Sequence, residues 1–205
     1  MRKLRYGWLP ATVVFLAACG LTSCGKEERR EGVSLCKTLS QEQVDLAAAN
    51  ALEKDLLGST RAWCEGIISN GGGKGKQLEE NASSAKSLAQ SASTVATQLS
   101  QVRQTIYDLP LKQEYPQSVR STLINQIMKR QKMLQEVRMA LDASAAGFLE
   151  FSRSRAYAGD TYPAAIDKLN SLVSGYRGPE DAVGDAIRDL KVKYTLQGAD
   201  LAGKT

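Results

Sequence analysis

The most regular stretch of the chain runs from 78 to 106. Ala85, Leu88, Ala92, Val95, Leu99, Val102 and Ile106 step alternately by three and four, and Leu78 extends the row backward. The positions between them are nearly all Ser, Thr, Gln or Lys. Such spacing lays one apolar seam along a helix, and the two alanines in it let a partner helix approach closely. The pattern stops at Asp108-Leu109-Pro110 and resumes over 117–157. There Ile127, Leu134, Leu141 and Phe148 recur every seven residues, with Leu123, Val137 and Phe151 between them. The two predicted helices are about 45 and 60 Å long. A connection of about eight residues folds them into an antiparallel hairpin.

Shorter segments flank that hairpin. Ser40-Gln41-Glu42-Gln43 has the serine-to-glutamine spacing of a capping box and predicts a helix to about Leu57. Val44, Ala47, Ala48, Ala51 and Leu52 form its apolar stripe, and Gly58 ends it. Residues 59–69 suggest a further helical turn, and Asn70 to Gly75 reads as a flexible loop. One helix starts near Thr161 and stops at Gly175. Another opens at Gly178-Pro179-Glu180-Asp181, with proline and two acids in its first turn, and buries Val183, Ile187, Leu190 and Tyr194. No strand-like alternation is persuasive. The fold expected is all-α: a helical bundle built on a long antiparallel helical hairpin with additional shorter helices. Its domain spans 36–195. Residues 24–35, charged and without apolar periodicity, read as a flexible tether, and 196–205 as a frayed C-terminal tail.

The first 25 residues change the picture. Arg2, Lys3 and Arg5 are followed by an uncharged run from Tyr6 to Gly25, the layout of a secretory signal. Two cysteines close that run, as Leu16-Ala17-Ala18-Cys19 and Leu21-Thr22-Ser23-Cys24. Both patterns resemble the lipobox of bacterial lipoproteins. The resemblance implies that the preceding peptide is cleaved and that the cysteine thiol carries a diacylglyceryl group. It covers only the leader; residues 36–205 resemble no family. An uncleaved signal anchor is the competing reading, although Gly7, Pro10 and Gly20 interrupt a run already near the ~20-residue minimum for a spanning helix.

Cys24 is favoured for lipidation, which makes 1–23 the signal peptide and leaves Cys36 and Cys64 as an even pair outside the cytoplasm. Cys19, in the lipobox with the smaller side chains, is the alternative and would leave three thiols. The glycine after either cysteine lacks the aspartate that retains lipoproteins at the inner membrane of enteric bacteria. The resemblance therefore implies an outer-membrane address where the host has one.

Composition narrows function further. The 205-residue chain carries a formal charge of +5, three charges of which come from Arg2, Lys3 and Arg5. The remaining +2 gives little support to nucleic-acid binding, and none is expected. Histidine is absent, which removes the commonest general base and the commonest metal ligand. No catalytic, cofactor or metal residue is assigned, and an enzyme is not expected.

Candidate chemistry elsewhere is weak. Gly71–Lys76 (GGGKGK) lacks the first glycine and the final Ser or Thr of a phosphate loop, and no strand precedes it. Cys36 and Cys64 are expected to form a disulfide closing about 29 residues, which requires the chain to double back at Gly58. Glu79/Glu80 and Asp181/Asp185 read as solvated helix-start acids. Helix 40–57 is acidic (Glu42, Asp45, Glu53, Asp55), and helix 117–156 is rich in cations, Arg130 among them; the two are candidates to lie side by side. Tyr157, Tyr162, Tyr176 and Tyr194 read as packing at helix ends ahead of a ligand wall. The function expected is a non-enzymatic scaffold or interaction module anchored in the envelope by its lipid, with an envelope protein as a possible partner. The alternative is a helical module that binds a small ligand or peptide.

Overall fold

Ala, Leu, Gln and Lys favour helix between the turn sequences, and helices account for the architecture throughout. The computed structural model describes residues 12–154, 161–176 and 181–201. Its helices are α1 Thr12–Asn70, α2 Lys76–Tyr107, α3 Glu114–Ser154, α4 Thr161–Ser174, α5 Ala182–Tyr194 and the single turn α6 Gly198–Leu201. Among the described residues there is no strand. None of these helices is long and apolar enough to cross a membrane.

The arrangement is an up-and-down four-helix bundle whose fourth side is made of two pieces. α2 packs on α1 and α3, α3 packs on α4, and α4 and α5 in turn lie along α1. The seam read from the sequence is the core face of α2: Leu78, Ala85, Ala92, Val95, Leu99, Val102 and Ile106 are buried. Facing it on α3 are Leu123, Ile127, Leu134, Val137, Leu141 and Phe148. Short connections at 71–75 and 108–113 reverse the chain. Gly71, Gly72, Gly73 and Gly75 all take positive φ, between 58 and 85°, a region that side chains disfavour. Gly72 N–H donates to the Ile67 carbonyl at 3.0 Å, so this loop is an ordered reversal.

The apolar interior is in two clusters. The lower one joins Leu35, Leu39 and Leu46 of α1 to Leu99, Ile106, Ile127 and α5's Leu190. The upper one joins Cys64 and Ile67 to Leu78, Leu141, Phe148 and α4's Leu169. They meet where α4 gives way to α5.

The first third of the chain departs most from expectation. α1 runs unbroken through Ser40 and Gly58. Ser40 does not cap a helix; its Oγ donates back to the Cys36 carbonyl at 2.8 Å. A lone glycine costs a helix roughly 1 kcal/mol, and the burial of Leu56, Leu57, Thr60 and Cys64 on either side outweighs that. The stripe assigned to the core is the outward one: Val44 is 73% and Leu52 43% exposed. The buried row is Leu46, Ala49, Glu53, Leu56 and Leu57, which the charge at Glu53 had hidden.

Residues 25–35 are helix as well, not a flexible tether. Leu35 is buried, and the Tyr194 ring sits where a side chain at Gly32 would have to go. In the tail, Leu196 is buried and Leu201 of α6 packs against the lower cluster. Tail residues 202–205, and residues 1–11 of the leader, lie outside the described residues.

Candidate functional site

Two polar clusters tie the helices together. The first sits at the junction of the two apolar clusters. Glu53 on α1 is fully buried, and its position within the apolar row of α1 drives the carboxylate into the bundle. Arg130 on α3 meets it: Nε donates to Glu53 Oε2 at 3.0 Å, and a terminal guanidinium nitrogen donates to the same oxygen. That nitrogen also donates to Asn50 Oδ1 at 2.7 Å. Tyr176, just past α4, donates its hydroxyl to Glu53 Oε1. Burial, and then the neighbouring Glu53 carboxylate, push the Tyr176 hydroxyl far above its ordinary pKa. Both carboxylate oxygens are thus occupied, one by donors from α3 and the other by the tyrosine that follows α4. Such a group holds helices in register, since a buried charge demands its partners at fixed positions. It is poorly placed to exchange protons with a substrate.

The second cluster closes the lower end, where the N-terminal turns of α1 meet the start of α3 and the last turn of α5. Tyr194 Oη donates to Glu28 Oε1 at 2.9 Å, and Lys193 Nζ lies 3.2 Å from the same oxygen. The Tyr194 hydrogen bond first, and Lys193 second, lower the Glu28 pKa. Burial and then Glu28 raise that of Tyr194. Lys193 also sits 3.4 Å above the centre of the Tyr115 ring. Glu31 Oε2 accepts the backbone N–H groups of Lys112 and Gln113, each at 2.8 Å. Those donors precede α3 and have no partner within it.

The residues singled out in the sequence fare unevenly. The side chains of Cys19 and Cys24 lie outside those described, although both positions fall within α1. Cys36 and Cys64 are free and buried. The expected disulfide is overturned: an unbroken helix sets them 28 residue steps apart, about 42 Å at 1.5 Å each. Burial raises the pKa of both thiols, that of Cys64 to about 11. Lys76 begins α2 directly after the glycine turn and pairs with Glu80 at 3.5 Å. Glu79 accepts from Ser152 of α3 at 3.4 Å. Asp181 caps α5 through Gly184 N–H at 3.0 Å, and Asp185 pairs with Arg188; Gly178, Pro179 and Glu180 of that predicted opening lie outside the described residues. Tyr157 lies outside the described residues, as does the side chain of Tyr162. Tyr176 and Tyr194 turn out to be hydrogen-bonding members of the two clusters.

Juxtaposition of Glu53 with Arg130 was foreshadowed by opposite charge on their two helices. The signal that would have fixed it is the phase of Glu53, four residues from Ala49 and three from Leu56. Among the described residues no group of three or more His, Cys, Asp or Glu is placed to hold a metal ion. Two grooves remain. One, of about 560 Å³, lies outside α2 and α3 and carries Arg103, Lys132 and Arg138. The other, of about 290 Å³, lies between α3 and α5 and is lined in part by Gln126, whose buried Oε1 has no partner. Set against protein-family models, curated proteins and solved structures, the chain matches none of them.

Proposed function

We propose that this chain is an envelope lipoprotein, anchored by a diacylglyceryl group on Cys24 (Cys19 being the alternative), whose bundle serves as a rigid, non-enzymatic scaffold or interaction module outside the cytoplasm. The leader carries this reading, with its basic start, uncharged run and small-residue patterns ending in cysteine. The bundle's construction suits such a role. Its polar side chains link helices to one another, and its conspicuous buried carboxylate has both oxygens engaged. Outer-membrane placement, where the host has such a membrane, follows from the glycine after the cysteine, by the same resemblance. In the test, Cys24→Ser should abolish incorporation of a labelled fatty acid and release the protein from membranes. Labelling that persists, and is lost only with Cys19→Ser, moves the anchor. Labelling indifferent to both cysteines overturns the proposal.

A second reading, a module that binds a small ligand, draws on the orphaned Gln126 oxygen in the α3–α5 groove. Buried amide oxygens normally find a donor, and a ligand N–H or O–H would supply one. Native mass spectrometry of protein purified from its host separates the readings. A stoichiometric adduct lost on Gln126→Leu favours the ligand, and a bare polypeptide mass favours the scaffold.

A further inference from the structure

If Cys24 carries the lipid, the bundle has almost no slack. Glu28, which bonds to the last turn of α5, is four residues from the acylated position, about 6 Å along a helix. The lower end of the bundle is therefore within reach of lipid headgroups by covalent geometry alone. The charges there are unevenly committed. Glu28 is engaged by Lys193 and Tyr194, and Glu31 by two backbone donors. Lys26, Arg30, Lys112 and Lys191 are exposed, with no ion-pair partner among the described residues. Against them stand the exposed acids Glu27, Asp108 and Glu114. Val192, between Lys191 and Lys193, is 76% exposed.

We infer that this end, comprising the first turns of α1, the 108–113 connection and the last turn of α5, is a footplate that rests on anionic lipid headgroups and stands the bundle upright. The inference rests on the anchor reading above. Two recumbent postures compete with it. The basic groove of α2 and α3 would also attract anionic lipid, but it lies across the bundle from α1. Lying on it would need the anchor to cross about 15 Å, one interaxial distance plus a helix radius. Residues 24–28, even unwound, span only about 13 Å. Lying on α1 itself would set exposed Asp45, Asp55 and Glu65 against an anionic surface, offset by Lys54 and by Arg61, which is bonded to the Val173 carbonyl. Upright, the 71–75 turn stands about 65 Å above the headgroups, at 1.5 Å per residue of α1.

The test uses the acylated protein reconstituted into neutral vesicles and into vesicles with about one-third anionic phospholipid, both containing a headgroup quencher. A fluorophore is attached through Val192→Cys at the lower end or Ile68→Cys at the upper end; the native thiols are buried. On anionic vesicles, quenching at 192 should exceed that at 68 several-fold. It should fall at least two-fold on neutral vesicles, or when Lys26, Lys112 and Lys191 are all replaced by Glu, while the protein stays bound. Equal quenching at the two positions means a recumbent bundle and overturns the footplate. So does quenching at 192 indifferent to lipid charge and to the three substitutions. Protein that lacks an acyl mass and stays off both vesicle types overturns the anchor reading and the footplate together. The mass spectrum separates that result from the others.

Discussion

Glu53 is the residue on which most of the molecule converges. Its carboxylate lies where the upper apolar cluster ends, the lower one begins and the fourth side of the bundle changes helix. Removing one partner of a buried pair leaves the other charge uncompensated. Glu53→Ala should therefore cost about 3–5 kcal/mol in urea unfolding. The double change Glu53→Leu with Arg130→Met should recover most of that loss, because a packed apolar pair needs no desolvation. A double variant no more stable than the single one would show that the polar contacts themselves hold the junction.

The tyrosines add a pH signature. Tyr176 and Tyr194 have hydroxyl pKa values raised in the folded state, so the protonated form is favoured by folding. Their contribution is complete below the ordinary tyrosine pKa near 10 and is lost as pH climbs through the folded values. Urea midpoints measured from pH 8 to 11.5 should fall above about pH 10, and less steeply in Tyr176→Phe and Tyr194→Phe. An identical slope in all three proteins would place the alkaline loss elsewhere. Glu28 acts in the opposite sense. Its pKa is lowered below 4.5, so its contribution is present above that value and fades on acidification.

At the scale of elements, α2 and α3 were legible because nothing in them conflicts: apolar phase, polar intervening residues and the proline-marked break all agree. Leu99 is fully buried, and Leu99→Ala should cost roughly 2–5 kcal/mol. Because α3 covers that seam within the same chain, the melting midpoint should not depend on protein concentration. A midpoint that rises with concentration would mean that the seam is also used between chains.

α1 was misread because two rows of small and apolar residues share it, and the row free of charge looked like the core. Ser40 and Gly58 carry local signals for a start and a stop, and burial on both sides overrode them. The same override defeats the disulfide, which depended on a reversal at Gly58. Gly58 has helical φ, and an added Cβ there would meet nothing within 4 Å. Gly58→Ala should accordingly stabilise the protein by about 0.5–1 kcal/mol. A loss of stability would show that the helix bends or is contacted there. Gly32→Ala should have the opposite effect, since its Cβ would collide with the Tyr194 ring.

For the whole molecule, the fold class and the long hairpin could be read from periodicity. The four-sided arrangement could not, because it depends on long-range pairings that leave no local trace. Most neighbours in the bundle are also neighbours in sequence: α1 with α2, α2 with α3, α3 with α4. The exceptions lie on the fourth side, where α4 and α5 return to α1, and the lower seam reaches furthest, with Glu28 meeting Tyr194 across 166 positions. In synthesis from the amino end, the foot of α1 is present long before α5 exists to cover it. Loop-closure entropy makes such a contact the last to form. The upper end can assemble once α1 to α4 are made, whereas the lower end waits for α5, the last long helix. Native-state hydrogen exchange should find amides of 26–35 and 186–194 opening together, at lower free energy than those of 85–102. Uniform protection along α1 would show that the bundle closes in a single step.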